Sequence, residues 1–159
     1  MLDTSFWINA YRSDLLPHVL RRFTLHSAPQ VAAEFEEQFA SGQEFWHRLR
    51  AGDIIENAPA ALYIQEFNLG ERAAISLAIE HNDWFLLLDD YKPFVEAARR
   101  GLKVVSTPMF AVTLYDEGVI DAAQTLTILG RLAAIQTVSP HLIAASLKPH
   151  GRTSNASGR

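Results

Sequence analysis

Asp89 and Asp90 stand side by side where an apolar run stops, in "WFLLLDDYKPF" from Trp84 to Phe94. Two adjacent carboxylates at one backbone corner repel each other, so something nearby should make that charge worth keeping. Three more acids occupy comparable places. Asp3 follows two apolar residues, Glu71 lies in the first turn of "GERAAISLAIEHN", and Glu34 borders the apolar stripe of "APQVAAEFEEQF". On a helix with ~100° per residue, Glu34 lies about 60° from Val31, whereas Glu36 points nearly the opposite way. At ~4 Å and an effective dielectric of ~20, each like-charge pair costs ~4 kcal/mol. A divalent cation removes that cost, and oxygen-only ligands in a wet cleft suit Mg²⁺ or Mn²⁺. The net charge is −4, and setting aside Asp3, Glu34, Glu71 and Asp89 brings it to zero. Each acid alone has a plainer role: Asp3 and Asp90 as N-caps, Glu71 beside a helix dipole, Glu34 as a surface charge.

The chemistry of such a set is metal-assisted hydrolysis, in which a cation lowers the pKa of a bound water and neutralises a phosphate under attack. Asp3 and Asp89, at strand ends, are the expected direct ligands. Glu34 and Glu71 would complete the shell directly or through water, and one would accept the water's proton. Thr4 and Ser5 offer hydroxyls beside Asp3, for support, phosphate contact or helix capping.

The elements that must hold these groups alternate between helices and short apolar strands. "TSFWINAY" starts a helix directly after Asp3, which ends the first strand. "DLLPHVLRRF" offers Asp14 as an N-cap with Pro17 in the first turn. Strands are expected in "FTLHS", "DIIE", "WFLLLDD" and "LKVVST". Helices are expected in "APQVAAEFEEQF" (apolar stripe Val31, Phe35, Phe39), "EFWHRLR", "GERAAISLAIEHN" (buried face Ala74, Ile75, Ala78, Ile79), "YKPFVEAARRG", "PMFAVTLYDEG", "AAQTLTILGRLAAIQ" capped by Asp121, and "HLIAASL". This alternation indicates an α/β domain with a mainly parallel sheet, whose ligands bind beyond the carboxyl ends of the strands.

Composition narrows the classes further. The chain has 159 residues, the length of one domain. It lacks cysteine, which excludes disulfides, zinc–thiolate sites and thiol catalysis and fits a reducing cytoplasm. No apolar run reaches the ~18 residues of a membrane span, and no basic-then-apolar leader opens the chain. The negative net charge requires any nucleic-acid contact to come from a local patch. The six histidines show no ligand-like spacing.

"LDTSFWINA", "PQVAAEF", "LGERAAISLA" and "LLLDDYKPFVEAARRGLKVVST", in this order and spacing, resemble the PIN domain, closest to a nucleic-acid-binding subgroup related to VapC-type toxins. The resemblance runs from Leu2 to about Gly118. It implies a four- or five-stranded, mainly parallel sheet with helices on both faces. It also implies a carboxylate-bound Mg²⁺ or Mn²⁺ and hydrolysis of phosphodiester bonds in single-stranded RNA. By motif position Asp3, Glu34, Glu71 and Asp89 match the family's acidic quartet, with Asp90 as an alternative or additional ligand. An antitoxin partner and homodimerisation are implied too. Residues 1–147 are then one PIN-like domain, and 148–159, "KPHGRTSNASGR", a flexible polar tail. Two departures stand out. Only Met1 and Leu2 precede Asp3, so the central strand is expected to be very short, or the reading frame to open upstream. Glu71 stands where the family often has aspartate, and its extra methylene moves the carboxylate outward.

An anionic pocket needs cations beside it to hold RNA. Lys92, Arg99, Arg100 and Lys103 follow the aspartate pair and Arg72 follows Glu71, as phosphate contacts or as a solvated helix face. Trp7, Tyr11 and Tyr91 are candidates for base stacking, with Trp7 more at home in a core. A receiver domain would carry its acidic pair early, a haloacid-dehalogenase-type phosphatase would need aspartate at Ser5, and "GxGxxG" and "GxxxxGK" are absent. The remaining rival is a PIN-like module that binds RNA or protein without cleaving.

Overall fold

Asp3 turns the chain into a helix after only two extended residues. Its carboxylate accepts the Ser5 N–H at 3.0 Å, capping α1 (Thr4–Arg12). The computed structural model describes residues 1–148, so the expected tail lies outside the described residues apart from Lys148. After α1 come α2 (Leu16–Arg22), β1 (Leu25–Ser27), α3 (Pro29–Ala32), α4 (Ala40–Ala51), β2 (Ile54–Glu56) and α5 (Leu69–Glu80). Then follow β3 (Phe85–Leu87), α6 (Tyr91–Arg99), β4 (Lys103–Val105), α7 (Thr107–Asp116), α8 (Ala122–Ala134) and α9 (Pro140–Ser146).

The strands form two parallel pairs, β1 with β2 and β3 with β4. Met1 to Asp3 run between the pairs. The Leu2 N–H donates to His26 O at 2.8 Å, while on the other side Leu87 N–H donates to Met1 O at 2.8 Å and Asp3 N–H to Leu87 O at 3.0 Å. Leu2 bridges Leu87 in parallel. The expected four- or five-stranded sheet is therefore corrected to two two-stranded pairs joined by an extended segment. Asp3 likewise follows a single bridge residue rather than a strand, because its capping geometry ends the extended run.

Three local expectations also change. Asp14 has φ 63° and Leu15 takes the N-cap of α2. The stripe Val31–Phe35–Phe39 breaks, because α3 ends at Ala32 and Phe39, 58% exposed, becomes the N-cap of α4. The chain doubles back there: a Cβ on Gly42 would meet the Glu36 carbonyl carbon at 2.8 Å, so only glycine lets α4 pass that backbone. On the expected face of α5, Ile79 is only partly buried, whereas Ala73, Ser76 and Leu77 join Ala74, Ile75 and Ala78 in the interior. Small residues on nearly every side let α5 sit tightly between α3 and β3.

One apolar core runs through the domain, with Leu2, Phe6, Trp7, Phe45, Phe110, Ile75 and Leu86 fully buried. Trp7 is edge-on to Phe45 at 5.6 Å and donates its indole N–H to Ser41 O at 2.8 Å, a structural role and not a stacking platform. No helix among the described residues is long and apolar enough to cross a membrane. Gly42→Ala is expected to destabilise the fold by about 1–3 kcal/mol in urea unfolding, because the added methyl meets backbone that cannot move aside.

Candidate metal and phosphodiester site

Parallel strands that end at one edge bring their following residues together. Asp3 follows the Leu2 bridge, Asp89 and Asp90 follow β3, Ser106 and Thr107 follow β4, and α3 with Glu34 behind it follows β1. Helices α1, α6 and α7 open at this edge, so their amino-terminal dipoles favour negative charge there. That edge collects the acids for a topological reason.

Asp3 is 2% exposed. Its Oδ2 accepts both the N–H and the hydroxyl of Ser5, at 3.0 and 2.6 Å. The same Ser5 Oγ accepts the Asp89 N–H at 3.2 Å, tying the ends of the first segment and of β3 together. Burial first, and then the charges of Asp90 and Glu34, push the Asp3 carboxyl up to about 7 against the lowering effect of Ser5. Thr4 donates its hydroxyl to Glu34 Oε2 at 2.5 Å. Glu34 in turn lies in a hollow left by Gly70 on α5, where a Cβ would meet its Cδ at 2.8 Å. Glu71 closes the α5 capping box: Asn68 Oδ1 accepts the Glu71 N–H at 2.8 Å and Glu71 Oε2 accepts the Asn68 N–H at 3.0 Å. Partial burial raises Glu71 above the usual carboxylate range, with Asp90 and Glu34 adding to the rise. Asp90 is the N-cap residue of α6 but makes no side-chain capping bond. The charges of Asp90 and Glu34 thus act on both Asp3 and Glu71.

Asp89 is different. It is fully buried, its Oδ1 accepts the Thr107 N–H at 2.6 Å, and its Oδ2 accepts Asn9 Nδ2 at 2.7 Å together with the Thr107 hydroxyl. Burial still pushes Asp89 upward despite these donors. Both oxygens are occupied by the protein itself. A cation bound at Asp89 would have to share these oxygens with the donors of Thr107 and Asn9. Among the described residues no group of three or more His, Asp or Glu side chains is placed to hold a metal ion directly. The donor chemistry nonetheless fits a hard divalent cation: oxygen-only groups, mutually repelling, with Asp90 and one Glu71 oxygen free of the hydrogen bonds that occupy Asp89.

The cations sort by sheet polarity. Lys103 opens β4 and is paired in register with Phe85, at the amino ends of the strands; its Nζ donates to Asp83 O at 3.2 Å. Arg99 and Arg100 lie at the far end of α6, which runs back from Asp90, and both bind Glu96, at 2.8 and 2.7 Å. These three stand at the edge away from the acids, because a crossover helix reverses direction relative to its strands. Arg72 is near Glu71 but its guanidinium is engaged with Ile64 O at 3.0 Å and Gln65 Oε1 at 2.8 Å. Lys92, in the first turn of α6, makes no hydrogen bond or ion pair among the described residues. A cavity of about 230 Å³ is lined by Met1, Phe23, His26, Trp84, Phe85 and Leu87 and by none of the candidate acids.

Sequence reasoning missed Asn9, Thr107, Thr137 and Gly70. Asn9 is 1% exposed within the apolar face of α1, and its Oδ1 accepts the Thr137 hydroxyl at 2.5 Å. A lone amide amid Phe6 and Ala10 is the one signal that was available. Thr107 and Thr137 offer none, since hydroxyls after strands and helices are common caps.

A family model described as PIN domain matches residues 2–150. The chain belongs to the PIN-domain family, a nuclease-type fold. No curated protein and no solved structure matches the chain.

Gly70→Ala separates packing from the site. In the first turn of α5 alanine gains at most part of the ~1 kcal/mol it gains in a helix interior, and the colliding Glu34 carboxylate is the end of a side chain, so stability should change by less than about 1 kcal/mol. Site function, read as divalent-cation affinity by calorimetry, should fall as Glu34 is displaced. The Asp3 proton gives a second check. Its folded pKa of about 7 exceeds the unfolded value of 3.8, so the stabilising proton is fully held below about pH 4 and is lost as pH rises through 7. In EDTA, Asp3→Asn should therefore gain stability relative to the unmodified chain between pH 5 and 8, on the order of 2–3 kcal/mol by thermal and urea melts.

Proposed function

We propose that this PIN domain is a metal-dependent endoribonuclease acting on single-stranded RNA, with Asp3, Glu34, Glu71 and Asp90 around a Mg²⁺ or Mn²⁺ ion. The observation that carries this reading is the gathering of these carboxylates at one sheet edge, where the charges of Asp90 and Glu34 act on both Asp3 and Glu71. A divalent cation there would polarise the phosphate and acidify a water molecule. The residues supply the rest. Ser5 fixes the Asp3 carboxylate by two hydrogen bonds, and Thr4 together with the Gly70 hollow directs Glu34. Glu71, with Oε2 engaged in the capping box, has Oε1 left to accept the proton of an attacking water. Asp89 acts as a buried anchor that sets the backbone of Asp90. The reading extends to the toxin of a toxin–antitoxin pair, with a protein antitoxin and a homodimer as the partners the resemblance implies.

A second reading has support of its own. Asp89 has both oxygens taken by Thr107 and Asn9, a structural use of an acid that suits a PIN-like module binding RNA or protein without cutting.

Incubation of the purified chain with end-labelled single-stranded RNA in Mg²⁺, Mn²⁺ or EDTA distinguishes the two. The nuclease reading expects cleavage that needs the metal and falls about a hundredfold or more in Asp3→Asn and in Asp90→Asn, both still folded by circular dichroism. Asp89→Asn should instead lower the melting temperature, since its amide would face the donors of Thr107 and Asn9. Undiminished cleavage in folded Asp3→Asn and Asp90→Asn would overturn the site. Binding without cleavage in either metal would establish the second reading.

A further inference from the structure

The chain after α8 returns to the acidic edge. Gln136 holds φ 54°, Thr137 donates to Asn9, and Asn9 donates to Asp89. Val138, just before α9, and Leu142, in its first turn, are each 2% exposed. This anchored turn carries an exposed imidazole, His141, to the amino end of α6, where its ring lies 5.1 Å from that of Tyr91 at 31°. Tyr91 immediately follows Asp90 and remains 43% exposed. Lys92, the next residue, is exposed and has no hydrogen bond or ion pair among the described residues.

Two rings from segments fifty residues apart therefore meet in solvent, one covalent step from a carboxylate of the site. Neither is buried, although both belong to a fold that encloses Phe6, Trp7, Phe45 and Phe110 completely. The mount is rigid, since the hydrogen-bonded line Asp89–Asn9–Thr137 and two buried apolar side chains hold the turn. An exposed, pre-positioned pair of rings, with an unpaired cation at the next position of the same helix turn, offers a single-stranded nucleotide a surface for its base and a charge for its phosphate. Imidazole adds a ring N–H able to reach a base edge.

We propose that Tyr91 and His141 form a stacking platform for a nucleobase of single-stranded RNA beside the acidic site, with Lys92 on the adjoining phosphate. The proposal rests on the ribonuclease reading for its substrate. Stacking of this kind is tolerant of base identity, so the platform fixes where the strand lies and leaves base choice to other contacts.

The test uses the full chain carrying Asp3→Asn, to slow cleavage, in Mg²⁺. Its probe is a short RNA containing 2-aminopurine, whose fluorescence is quenched on stacking. In this background Tyr91→Ala and His141→Ala should each weaken binding about five- to a hundredfold and abolish the quench. Tyr91→Phe, which keeps the ring, should bind within about twofold of its parent. An RNA abasic at the probe position should bind the parent as weakly as the alanine variants bind the intact RNA. In the chain with Asp3 restored, the alanine variants should raise KM with little change in kcat. Parent-like affinity in folded alanine variants, or equal losses with intact and abasic RNA, would overturn the platform. Should the chain cleave RNA while these variants behave normally, the platform falls and the nuclease stands. Should a Tyr91-dependent quench occur in a chain that cuts no RNA, the platform stands and the nuclease falls. Failure to bind RNA at all removes both.

Discussion

The Asp89 carboxylate is the hub on which the acidic edge depends. A charged group without contact to water costs several kcal/mol unless its lone pairs are satisfied, and here three donors from two distant segments converge on it. The Thr107 N–H and hydroxyl bring the start of α7 against the end of β3. Asn9 brings α1, and Thr137 behind it brings the turn before α9. The Asp89 N–H reaches Ser5 Oγ, which also binds Asp3. A single buried group therefore orients α1, α7 and the α8–α9 connection toward one edge.

This arrangement answers why two aspartates stand together. Asp89 faces inward and is saturated by protein donors. Asp90, one residue on, heads α6 without a capping bond and contributes its charge to Asp3 and Glu71. Adjacent residues leaving a strand point to opposite sides, so one carboxylate anchors and its neighbour faces the site. The repulsion between them is tolerated because Thr107 and Asn9 saturate Asp89 while Asp90 sits at the amino-terminus of α6.

Sheet polarity decides the remainder. Carboxyl ends of parallel strands collect the acids, and the same rule sends the end of α6 and the start of β4 to the opposite edge. Arg99, Arg100 and Lys103 lie there, with Glu96 and the Asp83 carbonyl as partners. Proximity in sequence to Asp90 thus translates into distance in space. Lys92, Tyr91 and, from fifty residues downstream, His141 are exposed groups that do stand beside Asp90.

From the sequence alone, the alternation of helices and short apolar strands and the caps of α1 and α8 were legible, and strand polarity pointed to one edge for Asp3, Glu34, Glu71 and Asp89 with Asp90 beside it, because period, capping chemistry and strand polarity are local rules. What those rules could not carry was side-chain direction and long-range partnership. Whether Asp89 or Asp90 faced outward depended on Asn9 and Thr107, and the place of Glu34 depended on the missing Cβ of Gly70. The break of the Val31–Phe39 stripe depended on Gly42 meeting the Glu36 backbone. Each of these was settled only by tertiary structure, since burial and hydrogen bonding are decided between residues that the chain itself keeps far apart.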